Sequence, residues 1–458
     1  MTLFRDLCCA GPATLAILMG VVAHAAPPRS PFTTDPYPST YRAPRSATML
    51  IVGATILDGR GHRIENGDIL IRNGKIAAVG HDLKARDAQV ISARGRWVTP
   101  GLIDVHSHNG VYSTSDISED SDPNSADIWI EHGVNVDDPA FGAAMRSGVT
   151  TLQVLPGSKP VFGGRSVVLK PVAASTVRDM KFPDASPSLK MACGDGPKRK
   201  DGAPSSRPGE VALVRGALLE AKDYLNDWRE YERSGGRGKQ PKRDLRLDAL
   251  AGVLTGEIPV HMHCYRASDM SAMLGVAQEF GFKIRAFHHA TGAYQIAEEL
   301  RQAGTCVVVW SDWWSFKTEA SDAIRENAAI VDAAGGCVMM LVDLPYVGLR
   351  LNIEAAKAAA AGRRAGFKLP PEHIIRWITS APAQVLGLEN RIGAVAPGLN
   401  ADLVIWSTDP FSIYSNADQV FIDGTLRYDR SKPDESITPD LYLGRPTAGS
   451  DMHVKGNM

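Results

Sequence analysis

Between residues 49 and 99, short apolar runs at 50–56, 68–71, 76–79 and 89–91 are divided by turn residues such as Asp58-Gly59 and Arg72-Asn73-Gly74. Runs this short, punctuated in this way, predict the strands of a small β unit. After Pro100-Gly101 the pattern changes. Apolar runs at 102–106, 150–155, 166–171, 188–193, 258–264, 284–288, 306–310 and 337–342 are now separated by stretches with helical spacing. Strands alternating with helices predict parallel βαβ units, and eight of them in about 250 residues match a TIM-type (β/α)8 barrel in an α/β fold. An alanine-rich helix closes at 360–365, and 370–388 reads as one amphipathic helix. Beyond Gly393 hairpin patterning returns in Gly398-Leu399-Asn400-Ala401-Asp402-Leu403-Val404-Ile405-Trp406 and again around Gln419 to Gly424.

The expected organisation is a small β-sandwich domain built from both chain ends, 48–99 and 393–430, with the barrel at 100–392 and a tail at 431–458. A charged block at 198–246 interrupts the barrel. Its middle has helical periodicity through Val211, Val214, Leu218, Tyr224, Leu225 and Trp228, which predicts a solvated helix packed on the barrel rim, with a lid over the substrate as the alternative. At the front, Arg5, the apolar run 13–22 and Ala23-His24-Ala25 have the form of a cleavable leader over 1–25. The run falls short of the about 20 apolar residues needed to span a bilayer, so stable membrane insertion is not expected. A periplasmic or secreted location follows. Pro27, Pro28, Pro31, Pro36, Pro38 and Pro44 then predict an extended linker over 26–47.

With 44% hydrophobic and 22% charged residues among 458, the chain is globular rather than disordered or multi-spanning. Lysine and arginine total 50 against 51 acidic residues, which removes the electrostatic case for nucleic acid and leaves a small-molecule substrate as the expected partner. A homo-oligomer stays open. Without the leader the cysteines are Cys193, Cys264, Cys306 and Cys337. They are too scattered for a zinc ribbon and too few for a disulfide scaffold, and are expected to be buried small hydrophobes.

The chemistry concentrates where strands should end. In Thr99-Pro100-Gly101-Leu102-Ile103-Asp104-Val105-His106-Ser107-His108 the two histidines are two apart on a strand, so they face the same side and can share one cation. Polar residues recur at the same ends of later strands: His261-Met262-His263, His288-His289 and Asp343. Several histidines converging with an aspartate supply a metal shell and a general base. Singly, His261 and His288 read equally well as core histidines. Trp310, Trp313, Trp314 and Phe316 follow the seventh strand and Tyr265-Arg266 the fifth, a candidate aromatic pocket with a carboxylate-binding arginine, although aromatic clusters also simply pack.

These motifs resemble the amidohydrolase superfamily, in particular its imidazolonepropionase-like exported members, over residues 49 to 430. The resemblance implies one or two divalent metal ions, zinc first, held by His106, His108, His263, His289 and Asp343, with a fourth-strand lysine carboxylated by carbon dioxide. By strand count that lysine is Lys190; Lys170, one strand earlier, is the alternative. The implied activity is hydrolysis of an amide C–N bond in a peptide-like, cyclic or N-acyl compound, with metal-activated water as nucleophile, Asp343 as the proton carrier and Tyr265, Arg266 and Trp313 at the substrate. Deamination, ester or lactone hydrolysis, and metal or ligand binding without turnover are the alternatives. The last is motivated by a departure: similar members read His-Ser-Asp at the eighth strand, where this chain reads Leu341-Val342-Asp343.

Overall fold

The computed structural model describes residues 31–32, 34–343 and 350–432. The expected leader and most of the expected tail lie outside the described residues. Residues 34–48 form no strand or helix until Met49, yet they are pinned to the rest of the chain. Lys181 Nζ bonds Asp35, Thr40 N donates to Arg178 O, and Tyr41 Oη donates to Asp423 Oδ2.

Strands from both ends of the chain share one eight-stranded sheet. Its hydrogen-bonded order runs Thr425–Asp429, Ala417–Ile422, Leu403–Trp406, Trp97–Pro100, Met49–Leu57, Arg63–Arg72 and Lys75–Gly80, with Gln89–Ser92 also paired to Met49–Leu57. The Asn73-Gly74 turn closes the hairpin between Arg63–Arg72 and Lys75–Gly80. Both its residues have positive φ, which glycine and asparagine tolerate best. Alternate positions Ile51, Ile69, Ile71, Val98, Leu403, Ile405 and Phe421 are buried together as one face of this sheet.

Of the eight strands expected in the middle of the chain, seven run parallel to a neighbour. Leu102–Ser107 pairs with Val149–Val154; Leu189–Ala192, Val260–Cys264, Ile284–His289, Cys306–Val309 and Val338–Met340 pair in sequence. Every residue of these strands except Arg285 is buried, the pattern of a sheet covered on both faces. The third strand departs from expectation: Val167–Leu169 runs antiparallel to Val149–Val154, and an unforeseen strand, Phe162–Arg165, runs antiparallel to Leu189–Ala192. The connection after Val154 passes through Pro156, Gly157 and Pro160. Those helix breakers and the short strand Phe162–Arg165 occupy the span up to Val167, leaving no room for the crossover helix that a parallel strand needs. Among the described residues the strands therefore form a three-stranded and a six-stranded sheet besides the terminal one.

The charged block folds as the helix Arg207–Arg233, begun by Ser206, whose side chain accepts from Gly209 N, with proline in the first turn. It buries Val214, Leu218, Tyr224, Leu225 and Trp228 and packs against Leu245–Leu254 and Ala267–Phe280. The helix expected over 370–388 is instead three short pieces, Pro371–Ile374, Ile375–Ile378 and Ser380–Val385. Thr379 breaks the run with φ −137° and ψ −81°, and Pro382 follows it without an N–H to donate. The cysteines also correct the expectation: they pair as Cys193–Cys264 and Cys306–Cys337, each joining neighbouring strand regions with Cα atoms 5.2 and 4.5 Å apart. Pairing depends on which strands become neighbours, and spacing along the chain does not reveal that. No helix among the described residues is long and apolar enough to cross a membrane.

Candidate metal centre

His106 is the penultimate residue of the buried strand Leu102–Ser107 and His108 is the first residue after it. Their Nε2 atoms each lie 3.4 Å from Asp343 Oδ1. His108 is oriented by its other nitrogen, Nδ1, which lies 2.9 Å from Leu155 O. The ring of His289 stands 4.6 Å from that of His106 and 4.4 Å from that of His263. One ligand atom each from His106, His289 and Asp343 falls within 4.8 Å of the others.

Consecutive residues on a strand face opposite sides, so His288 and His289 should not both point inward. The chain resolves this with backbone strain: His289 has φ +70°, and Asp343 has φ +72°. For residues other than glycine these are sparsely populated conformations, and here both belong to the histidine and aspartate cluster.

Lys190 lies beside the same imidazoles. It is fully buried, pairs in register with His261, and donates from Nζ to Pro156 O at 3.0 Å. Desolvation pushes its ammonium down to about 7, opposed by the charge of Asp343. Lys170 is elsewhere. Its Nζ is paired with Asp423 at 2.9 Å and Asp402 at 3.2 Å, beneath the terminal sheet. Burial holds His106, His261, His263, His288 and His289 below the usual imidazole range, His106 to about 4 and His261 to about 3. Burial acts the other way on Asp343, but the closely approaching imidazoles of His106 and His108 outweigh it and hold the carboxyl well below its usual range.

The donor set fits a divalent cation. Both ring nitrogens of His263 and the Nδ1 of His289 are buried without a hydrogen-bond partner, and His106 Nε2 has only the 3.4 Å approach to Asp343. Neutral imidazoles with unused lone pairs, an ionised carboxylate and a lysine near its free-base form are oxygen and nitrogen donors suited to zinc. Leaving that many buried polar atoms unpaired would otherwise be costly.

His288 and His261 are not part of this cluster's inner face. They stand behind His106, His288 Nδ1 at 2.8 Å from His106 Nδ1 and His288 Nε2 at 2.9 Å from His261 Nδ1. The aromatic residues after the seventh strand form a wall. Tyr265 stacks on His289 at 5.2 Å, Trp310 lies 4.5 Å from His289, Trp313 stacks on Trp310 at 5.1 Å, and Phe316 meets Trp310 edge-on. Trp314 is largely exposed and donates to Ser321 O. Arg266 is exposed at the start of Ala267–Phe280 and contributes its charge towards Asp195 rather than joining the wall. The cation over the wall is Lys317, 5.3 Å from the Tyr265 ring and 5.5 Å from that of Phe316. Sequence reading missed it; its place directly after Phe316 was the available signal.

Residues 276–427 match the amidohydrolase family. Over its whole length, a solved amidohydrolase from Thermotoga maritima MSB8 superposes with a TM-score of 0.77 at 32% identity, covering 83% of this chain. Amidohydrolase tasK of Hapsidospora irregularis is 30% identical over 85% of this chain, which spans only 44% of that longer protein. An imidazolonepropionase of Chromobacterium violaceum is 26% identical over 75% of this chain and 86% of its own length. The buried cluster of histidines and an aspartate at strand ends of an α/β fold is a candidate metal centre. The chain belongs to the amidohydrolase family, whose enzymes act on C–N bonds.

Proposed function

We propose that this protein is an exported, metal-dependent hydrolase that cleaves an amide C–N bond in a small peptide-like, cyclic or N-acyl substrate. The observation that carries the reading is the convergence of His106 and His108 Nε2 on Asp343 Oδ1, beside the unpartnered nitrogens of His263 and His289. In this reading the three-stranded and six-stranded sheets close into one (β/α)8-type barrel with the site at its carboxyl end, and the terminal sheet curls into a small β-sandwich. Two disulfides among the four cysteines of the described chain support an oxidising compartment and so the cleavable leader over 1–25.

His106, His108, His263, His289 and Asp343, with Lys190 once carboxylated, would hold one or two zinc or similar ions. Such an ion would supply Lewis acidity and lower the pKa of water towards about 7. Lys190 can serve only after its amine adds to carbon dioxide: the nitrogen lone pair forms the N–C bond, one proton leaves, and the product is an anionic carbamate oxygen donor. Its lowered pKa supports that step by keeping free amine available near neutral pH. Asp343, ionised and only partly exposed, accepts the proton of the attacking water and returns it to the leaving nitrogen. The Tyr265 hydroxyl, raised by burial and by Asp343, stays protonated and can donate to the anionic oxygen of the tetrahedral intermediate. The aromatic wall and Lys317 suit a substrate with an apolar group and a negative charge.

The test is metal analysis of the purified protein together with hydrolysis of a dipeptide, cyclic-amide and N-acyl amino acid panel, before and after chelation. One to two equivalents of zinc and chelator-sensitive amine release are expected. Metal below about 0.2 per folded chain after expression with added zinc would overturn the metal reading.

A further inference from the structure

We propose that His288 and His261 are positioning residues: together they fix which nitrogen of His106 carries its proton, and thereby set the affinity of the centre for its metal. The inference rests on the metal reading above. His106, His288 and His261 are buried to within 1% and joined by contacts of 2.8 Å between the two Nδ1 atoms and 2.9 Å from His288 Nε2 to His261 Nδ1.

Two imidazole nitrogens this close share one proton, one ring donating and the other accepting. For His106 to offer the lone pair of Nε2 to a cation while neutral, its proton must sit on Nδ1, donated to His288. His288 Nδ1 is then bare, so the proton of that ring is on Nε2 and is donated to His261 Nδ1. The chain therefore has one direction compatible with ligation. In the opposite direction His106 carries its proton on Nε2, facing Asp343 Oδ1 at 3.4 Å, and that nitrogen cannot bind a cation. The polarity of the chain and the ligand competence of His106 are one property.

The arrangement is built on rigid elements. His261 and His288 sit on adjacent parallel strands, where His263 and His288 are in register. Burial keeps water from competing for the shared protons. Partners behind ligating imidazoles are worth 10- to 100-fold in metal affinity in other centres.

Zinc titrated into metal-stripped protein against a chromophoric chelator reads the effect directly. His288→Leu removes acceptor and donor together and should weaken zinc by about 10- to 100-fold. His288→Gln, whose planar amide offers one acceptor and one donor, should return affinity to within about fivefold of the parent, an outcome lost packing alone does not produce. Parent-like affinity in His288→Leu, or equal weakness in the Leu and Gln variants, would overturn the proposal. A parent that binds no zinc would overturn the metal reading itself, which separates the two failures. Should His288→Leu not fold, ¹⁵N-histidine spectra of the zinc-loaded parent decide: His288 protonated at Nε2 supports the chain as drawn, and protonation at Nδ1 overturns it.

Discussion

Lys170 Nζ lies 2.9 Å from Asp423 Oδ2, an ion pair between the third central strand and the last hairpin of the terminal sheet. Asp402 is the second carboxylate on the same ammonium, and both acids are buried. This assigns the two lysines of the sequence different work: Lys170 joins the sheets, and Lys190 faces the histidines. Lys170→Met should cost about 3–5 kcal/mol in urea unfolding, because it leaves buried carboxylates uncompensated, while metal per folded chain stays at the parent value. Lys190→Ala should do the reverse, lowering metal content, with partial recovery of activity by propionate or formate. Metal loss in the Lys170 variant, or none in the Lys190 variant, would refute the assignment.

Asp343→Asn preserves size and removes the proposed proton acceptor. Turnover is expected to fall by about two to four decades with little change in circular dichroism, the usual cost of losing a positioned general base. A variant within about threefold of the parent would leave Asp343 without that role.

How far the site was legible from sequence follows from what each residue depends on. His106, His108 and Asp343 could be picked out because polar residues at the ends of apolar runs are conspicuous, and strand alternation gives the first two a common face. His289 was legible as a residue type but not in its geometry: alternation turns it away, and only φ +70° brings it back. Lys170 and Lys190 each end or interrupt a short apolar run, so their separation depended on strand pairing. The strand at 167–169 was found but its direction was not, because periodicity is the same in parallel and antiparallel strands. The disulfides and the His106–His288–His261 chain depend on contacts between distant segments, which a single sequence does not express.

The Cys193–Cys264 bridge ties the end of the Lys190 strand to the residue after His263, spanning 71 positions. Replacing both cysteines by alanine should destabilise the protein by about 2–4 kcal/mol, chiefly by freeing the unfolded chain. Zinc affinity should fall in parallel if the staple keeps the two strand ends in place. A change in unfolding free energy below about 1 kcal/mol in denaturant titrations would contradict a formed bridge.

Glu210, in the first turn of the Arg207–Arg233 helix, gives the protein a pH-dependent weakness away from the metal residues. Its side chain is buried, Oε2 accepts from Gly194 N at 3.0 Å, and Oε1 has no partner. Burial raises its carboxyl from 4.5 to about 7; Asp269 adds to the rise, while the Gly194 N–H, Arg207 and Lys198 oppose it. Between those two values the folded chain keeps a proton that the unfolded chain has released, so stability from this group falls as pH rises through that window. After allowance for partial screening the loss should be on the order of 1–2 kcal/mol. Glu210→Gln keeps the Gly194 bond with a neutral acceptor and should flatten that part of the stability curve, gaining most over the parent at pH 8 and little at pH 4.5. Parallel curves for the two proteins across pH 4.5 to 8, measured by urea unfolding of metal-free samples, would show that Glu210 does not carry the dependence.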